Sequence, residues 1–178
     1  MTDIQKICRP TLLLDKDRCL ANIKSMHKKA INNNIELRPH FKTHQSHEVG
    51  RWFRDFGINK IATSSLYMAE YFANDGWDDI TVAFPTNILE IKTINTLAAK
   101  IKLNLLIQSI STLEFLKKEL RYPINGFIKI DMGYNRTGIQ AEDFKTLDSL
   151  ILGMKNSNNI NFAQKLGAII KAPILLVH

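Results

Sequence analysis

A cluster of histidines surrounds one lysine near the start of the chain. The stretch "ELRPHFKTHQSHEVG" (residues 36–50) holds three of the five histidines, and Lys42 lies among them. His40, His44 and His47 are spaced at i, i+4 and i+7, so on one continuous helix they would share a face, as zinc ligands often do. The alternative is that Lys42 stands at the end of a strand to do covalent chemistry.

Pro39 argues against the continuous helix. Proline disfavours helical geometry at the residue before it, here Arg38, so a strand is expected to end at this point. Residues 40–43 are then predicted to form the turn from that strand into a helix. Only His44 and His47 would lie on the helix, which weakens the zinc hypothesis without removing it.

The same context makes Lys42 a candidate nucleophile. A lysine in a cleft at the end of a strand loses its proton through desolvation and neighbouring positive charge. Arg38 could supply that charge, as could His40 or His44. A neutral lysine amine attacks aldehydes, so the sequence indicates Schiff-base chemistry at Lys42.

A second cluster lies in "IKIDMGYNRTGI" (residues 128–139). Asp131 stands at the end of a predicted buried strand, and Arg136 lies in a turn flanked by Gly133 and Gly138. The two could form a structural ion pair. The favoured interpretation is functional, because a guanidinium beside an anionic cofactor oxygen orients the cofactor and tunes its electronics.

The elements that must position these residues alternate between two kinds. Strand-like runs occur at 11–15, 35–39, 60–64, 79–85, 102–109 and 124–133, and a further strand is expected within 166–178. Amphipathic helices are predicted between them, with N-caps at Asp17, Ser65, Asn87 and Ser111. Regular alternation of this kind predicts parallel strands joined by right-handed crossovers.

The fold class predicted is α/β, specifically a (β/α)8 barrel with about six of its eight strands present. No glycine-rich phosphate-binding motif follows any predicted strand, which disfavours a nucleotide-binding doubly wound sheet. Reactive residues at several strand ends favour the barrel, because its active sites gather where the strands end. We therefore expect both clusters to meet at that edge.

Composition sets broader limits. The chain has 178 residues, of which 45% are hydrophobic and 23% charged, as in an ordinary globular domain. It shows neither a secretory signal nor a run long enough to span a bilayer, so a cytoplasmic location is expected. The net charge of +7 comes from lysines scattered along the chain, and no basic run is interleaved with aromatic residues. This pattern argues against nucleic-acid binding.

"RPHFKTHQS" followed by "IDMGYNRTGI" resembles the fold type III pyridoxal-phosphate enzymes, whose N-terminal barrel is alanine racemase-like. Within that family the likeness is to the D-threonine aldolase and D-serine dehydratase branch. It covers roughly residues 9–140, including "RPTLLLDKDRCLANI" and "SSLYMAEYFANDGWDDITVAFP".

The resemblance implies a role for each site residue. Lys42 would form the Schiff base with pyridoxal 5'-phosphate, and Arg136 would face the phenolic oxygen of that cofactor. Asp131, His40 and His44 would line the same site. The implied activity is a lyase for D-amino acids that cleaves D-threonine to glycine and an aldehyde; D-serine dehydration, racemisation and cofactor binding without chemistry remain open.

The resemblance also sets an expectation about domains. Residues 1–178 would be a partial N-terminal cofactor-binding barrel, without the family's C-terminal β domain. In full-length relatives that domain supplies divalent metal ligands and part of a homodimeric active site, so metal ligands stay unassigned here. We expect weak or no turnover of a D-amino acid substrate by this chain alone.

Overall fold

The computed structural model describes residues 3–11, 13–131, 133, 135 and 137–163. It divides into two compact units, Met1–Glu36 and Leu37–His178. Within the described ranges, no helix combines the length and the apolar character needed to cross a bilayer.

The first unit contains a 3-10 turn at Asp3–Lys6 and helix α1 at Lys16–Asn32. The N-cap of α1 is Asp15, whose carboxylate accepts the Arg18 N–H at 3.0 Å, so the predicted cap at Asp17 is wrong by two residues. The strand predicted at 11–15 is also wrong for its described residues, since this stretch leads into the helix cap instead of a ladder.

The second unit alternates helices and parallel strands. Its elements are a 3-10 turn Phe41–Thr43, α2 His47–Asp55, β1 Ile61–Thr63, α3 Leu66–Ala73, β2 Asp79–Pro85, a 3-10 turn Ile88–Glu90, α4 Ile91–Ala98, β3 Lys102–Ile107, α5 Ile110–Glu119, β4 Ile124–Ile128, β5 Ile130–Asp131, β6 Ile139–Gln140, α6 Phe144–Lys155 and β7 Ile160–Phe162. The main sheet has the order β1-β2-β3-β4-β7, with every neighbouring pair parallel. The order follows the chain, as in part of a (β/α)8 barrel, and confirms the predicted α/β class.

The two faces of the sheet differ in polarity. One row across it is apolar and almost fully buried: Ile61, Ile80, Leu103, Ile124 and Ile160. These side chains join one core with apolar residues of α3, α4, α5 and α6. The next row, on the opposite face, is Ala62, Thr81, Asn104, Asn125 and Asn161. The apolar face of each strand is therefore the one that packs against the helices.

Residues 35–39 do not form the predicted strand. The segment makes a single parallel bridge, His40 to Ala62, and the Ala62 N–H donates to the Pro39 carbonyl at 2.8 Å. Proline has no N–H to return to the ladder, so pairing cannot extend through it. The chain nevertheless runs parallel to β1 here, and the predicted turn follows directly.

Other boundaries differ in smaller ways. Ser65 caps α3 as predicted, whereas α5 is capped by Ser109, not Ser111. Asn87 caps the 3-10 turn Ile88–Glu90, and the N-cap position of α4 itself is Glu90, which makes no side-chain capping bond. The predicted strand 124–133 divides into β4 and β5, and β7 was not predicted. The strand expected within 166–178 lies outside the described residues.

An ion pair fixes the segment before Lys42 to the edge of the sheet where the strands begin, called here the amino edge. An Arg38 guanidinium nitrogen lies 2.7 Å from the Asp79 carboxylate and also donates to the Ile61 carbonyl at 3.2 Å. Asp79 further accepts from the Asn104 side chain at 2.9 Å and pairs with Lys102 at 3.3 Å. Burial alone would raise the pKa of Asp79, but the hydrogen bond and charge of Arg38 hold it below its usual value. Arg38 therefore points away from the edge where the strands end, so the expectation that its charge activates Lys42 is wrong.

Replacing Asp79 by asparagine should reduce stability by about 2–3 kcal/mol, because Arg38 would keep a half-buried charge without its partner. This is less than for a fully buried pair, since the Arg38 side chain is 26% exposed. Urea unfolding measures the change. Asp78→Asn is the matched control at the exposed neighbouring position, and equal effects of the two substitutions would contradict a stabilising pair.

Candidate functional site

Lys42 stands on a three-residue 3-10 turn directly after the bridge to β1. The turn is capped by His40, whose Nδ1 accepts the Lys42 N–H at 3.2 Å. The Lys42 carbonyl accepts from the Gln45 side chain at 3.2 Å, and Gln45 has a positive φ of 45° that redirects the chain toward α2. Lys42 is half-buried. As predicted from Pro39, the lysine lies in the turn that leads into α2 and not within an α-helix; an isolated bridge, not a strand, precedes this turn.

Phe41 anchors this turn in the layer of helices. Its side chain is completely buried. The ring centroid lies 4.9 Å from that of Phe72, 5.1 Å from that of Phe53 and 5.1 Å from that of Trp77. Gly50 allows this packing, because a Cβ there would lie 3.1 Å from the Phe41 ring. The residue before Lys42 is thus fixed by close packing on several sides.

His44 packs in the same aromatic layer. Its ring centroid is 4.4 Å from that of Phe41 and stacks on Phe53 at 6.0 Å. Its Nδ1 accepts the Ser46 N–H at 3.2 Å. Helix α2 begins only at His47, so the prediction that His44 lies on that helix is wrong.

The zinc hypothesis for these histidines finds no support in the structure. In the described ranges, no group of three or more His, Cys, Asp or Glu side chains could hold a metal ion. His47 Nε2 instead lies 2.9 Å from the Tyr71 carbonyl, with the two rings stacked at 3.7 Å. The i, i+4, i+7 spacing has no common face because the helix starts at the third histidine.

The two histidines beside Lys42 are uncharged near neutral pH. Burial, and for His40 also the Lys42 charge, lowers the pKa of His40 to about 4. Burial likewise lowers the pKa of His44 to about 4. Neither ring supplies the positive charge that sequence reasoning placed next to Lys42. Since Nδ1 of each ring accepts a backbone N–H, the neutral tautomer carries its proton on Nε2.

Asp131 organises the second cluster. Its side chain is buried, and Oδ1 accepts the N–H groups of Gly133 and Asn135, each at 3.1 Å. Gly138, with a φ of 128°, packs so closely that a Cβ there would lie 2.8 Å from the Asp131 nitrogen. Asp131 therefore shapes the loop between β5 and β6. Arg136 lies on that loop, but outside the described residues.

Thr137 attaches this loop to the main sheet. Its hydroxyl donates to the Gln108 side chain at 2.8 Å, directly after the end of β3. Thr137 was not among the site residues predicted from the sequence. The available signal was a hydroxyl residue beside Arg136 in a glycine-flanked turn.

Both clusters lie at the edge where the strands end, called here the carboxyl edge. The Lys42 turn follows the bridge to β1, and the Asp131 loop follows β4, so the parallel sheet brings them to one side. A cavity of about 210 Å³ is lined by Asp79, Lys102 and neighbouring residues at the amino edge, away from Lys42. The residues at the carboxyl edge that suit an aldehyde cofactor such as pyridoxal phosphate are the Lys42 amine, on a fixed turn, and the neutral His40 imidazole.

Stability should fall as the pH drops from about 6.5 to about 4. The folded-state pKa values of His40 and His44 lie near 4, below the ordinary 6.5, so the unfolded chain binds more protons across this window. Each histidine can contribute a slope of up to about 1.4 kcal/mol per pH unit. Urea unfolding across the window measures the slope. The slope should be smaller in His44→Asn than in the parental chain, and an unchanged slope would contradict the role of this burial.

Comparisons with known proteins identify the family. Residues 14–166 match the model of the alanine racemase N-terminal domain. The chain is 28% identical to a D-serine dehydratase of Dictyostelium discoideum, over 90% of this chain and 44% of that protein. It therefore spans less than half the length of this curated relative.

Solved structures agree on the fold. A D-threonine aldolase from Filomicrobium marinum superposes with a TM-score of 0.81 at 21% identity, over 86% of this chain and 42% of that one. A D-threo-3-hydroxyaspartate dehydratase from Delftia sp. HT23 gives 0.78 at 26% identity, over 88% of this chain and 42% of that one. The partial barrel, the turn that carries Lys42 and the family match lead to one conclusion: the chain belongs to the alanine racemase N-terminal domain family, the barrel of fold type III enzymes.

Proposed function

We propose that this chain forms the cofactor-binding barrel of a pyridoxal-phosphate-dependent lyase that acts on D-3-hydroxy amino acids. The observation that carries the proposal is the half-buried Lys42, held on a rigid turn at the carboxyl edge between anchored neighbours. The family match and the two dehydratases at 28% and 26% identity support the reaction class.

Lys42 has two tasks in this proposal. Its Nζ would hold the cofactor through the aldehyde group, and the lysine amine would also take the proton from the substrate Cα. The cofactor supplies an electron sink for the electron pair left at Cα.

The neighbouring residues orient the cofactor. His40 keeps a proton on Nε2 and can donate it to an anionic cofactor oxygen, because its Nδ1 is occupied by the Lys42 N–H. Arg136 is proposed to face the phenolic oxygen. Asp131 acts on the loop that carries Arg136, through its bonds to the Gly133 and Asn135 N–H groups. Asp131 is thus proposed as a positioning residue.

Dehydration is the favoured reaction within this class. The two relatives described above at 28% and 26% identity are named as dehydratases, which supports loss of the β-hydroxyl over cleavage of the Cα–Cβ bond. Retro-aldol cleavage of D-threonine is the second candidate, since the aldolase shares the fold at 21% identity. The divalent metal implied by the sequence resemblance does not fit the described residues, which provide no group of three ligands, so no step is assigned to a metal.

Pyridoxal phosphate added to the chain should give a visible absorbance band, and borohydride should fix the label on Lys42. Lys42→Ala should abolish both signals, whereas Lys118→Ala, at a side chain 82% exposed, should leave them unchanged. Peptide mass spectrometry locates the label. An absent label, or one spread over many lysines, would rule out a dedicated cofactor lysine.

D-Threonine distinguishes the two bond cleavages. Dehydration gives 2-oxobutanoate and ammonia, whereas retro-aldol cleavage gives glycine and acetaldehyde. We expect D-threonine but not L-threonine to perturb the visible band, with 2-oxobutanoate as the product detected by mass spectrometry at stoichiometric enzyme. Acetaldehyde in its place would select the aldolase, and a response to L-threonine alone would exclude the proposed substrate class.

A further inference from the structure

The turn that carries Lys42 is held at both ends by one pair of rings. Phe41 precedes the lysine and His44 follows it by two residues, and their ring centroids lie 4.4 Å apart at 61°. Both rings also contact Phe53 and Phe72 of the helix layer. The lysine backbone therefore spans the gap between two side chains that are fixed in the same aromatic layer.

His44 makes two hydrogen bonds, one that closes the turn and one that links it to the start of α2. Its backbone N–H donates to the Phe41 carbonyl and closes the 3-10 turn. Its Nδ1 accepts the N–H of Ser46, and Ser46 in turn caps α2 by accepting the Val49 N–H at 3.4 Å. The imidazole thus joins the end of the turn to the first residues of the helix.

The environment of the ring is suited to a neutral, fixed group. Nε2 is buried and has no hydrogen-bond partner within the part of the chain that the structure describes. Burial lowers the pKa of His44 to about 4, so the ring is uncharged under ordinary conditions. The sequence resemblance placed this ring against the cofactor, but three phenylalanine rings surround it here.

We propose that His44 is a positioning residue for Lys42, acting through the hydrogen bond from the Ser46 N–H to its Nδ1. That bond sets the distance between the Lys42 turn and the start of α2, and so fixes where the lysine amine can reach. The functional importance of this placement rests on the proposed cofactor chemistry. A contact between Nε2 and the cofactor is the competing explanation, and it predicts that replacing His44 by either asparagine or phenylalanine slows cofactor capture equally.

Two substitutions of His44 distinguish the contribution of the Nδ1 acceptor from that of the buried ring. His44→Asn keeps an acceptor, because asparagine readily accepts the N–H two residues ahead, but it loses the buried ring. His44→Phe keeps a ring of similar shape and loses the acceptor. His27→Asn, on α1 in the other unit, is the matched control and should behave like the parental chain.

We expect His44→Phe to impair cofactor capture more than thermal stability, and His44→Asn to do the reverse. His44→Phe should melt close to the parental temperature, exchange the Ser46 amide faster, and react with pyridoxal phosphate at Lys42 on the order of tenfold more slowly. His44→Asn should melt at a lower temperature yet keep a Ser46 exchange rate and a capture rate close to the parental values. Thermal unfolding, amide hydrogen exchange and the growth of the visible band measure these quantities below the lower melting temperature.

The order of the variants decides the outcome. If His44→Asn captures cofactor as slowly as His44→Phe, the Nε2 contact, which both variants lose, replaces the proposal; if His44→Asn is slower still, a purely structural role of the ring replaces it. Parental behaviour of both variants would also overturn it. If the parental chain captures no cofactor at Lys42, the proposed function fails, and the Ser46 exchange rates alone then test whether Nδ1 positions the turn.

Discussion

The burial of the Phe41 side chain is the interaction on which the candidate site depends. A completely buried phenyl ring contributes about 1.5–3 kcal/mol relative to an exposed one. Because the ring belongs to a three-residue turn, this packing energy acts directly on the backbone of Lys42. Gly50 makes the packing possible by leaving room for the ring, so the position of the lysine is coupled to the contact between the turn and α2.

A second anchor acts from the opposite edge of the sheet. Arg38 binds Asp79 and the Ile61 carbonyl at the amino edge, while His40 bridges Ala62 near the end of β1. The motif "RPHFKTH" is therefore held at three places: Arg38 at the amino edge, His40 beside β1, and Phe41 in the helix layer. Its charged and aromatic residues mainly build the support for Lys42, which explains why so many distinctive side chains surround this one lysine.

Electrostatics at the site follow from this support. Burial keeps His40 and His44 neutral, and Arg38 is paired elsewhere, so the immediate surroundings of Lys42 carry less positive charge than the sequence suggests. The same burial couples the geometry of the site to pH, since protonating either ring opposes its packing. In the second cluster, the Asp131 carboxylate is likewise used to hold backbone groups in place.

Local patterns predicted the elements that carry a strong local signal. Strand β2 was predicted at its observed bounds because it is rich in β-branched and aromatic residues, and Ser65 was recognised as a cap because capping is a short-range interaction. Residues 35–39 were misassigned because a strand needs a partner along its length and Pro39 cannot donate to one. Strand β7 was missed because three residues with a central asparagine carry little periodic signal.

The sequence by itself determined the α/β alternation, the turn after Pro39 and the selection of Lys42 as a candidate site residue, because each follows from neighbours in the chain. The tertiary structure alone decided the direction of Arg38, the aromatic surroundings of His44 and the backbone contacts of Asp131. Those properties depend on residues brought close by folding, such as Asp79 for Arg38 and Phe72 for His44. Spacing along the chain shows which groups could react, whereas packing shows which of them are held in place to support the others.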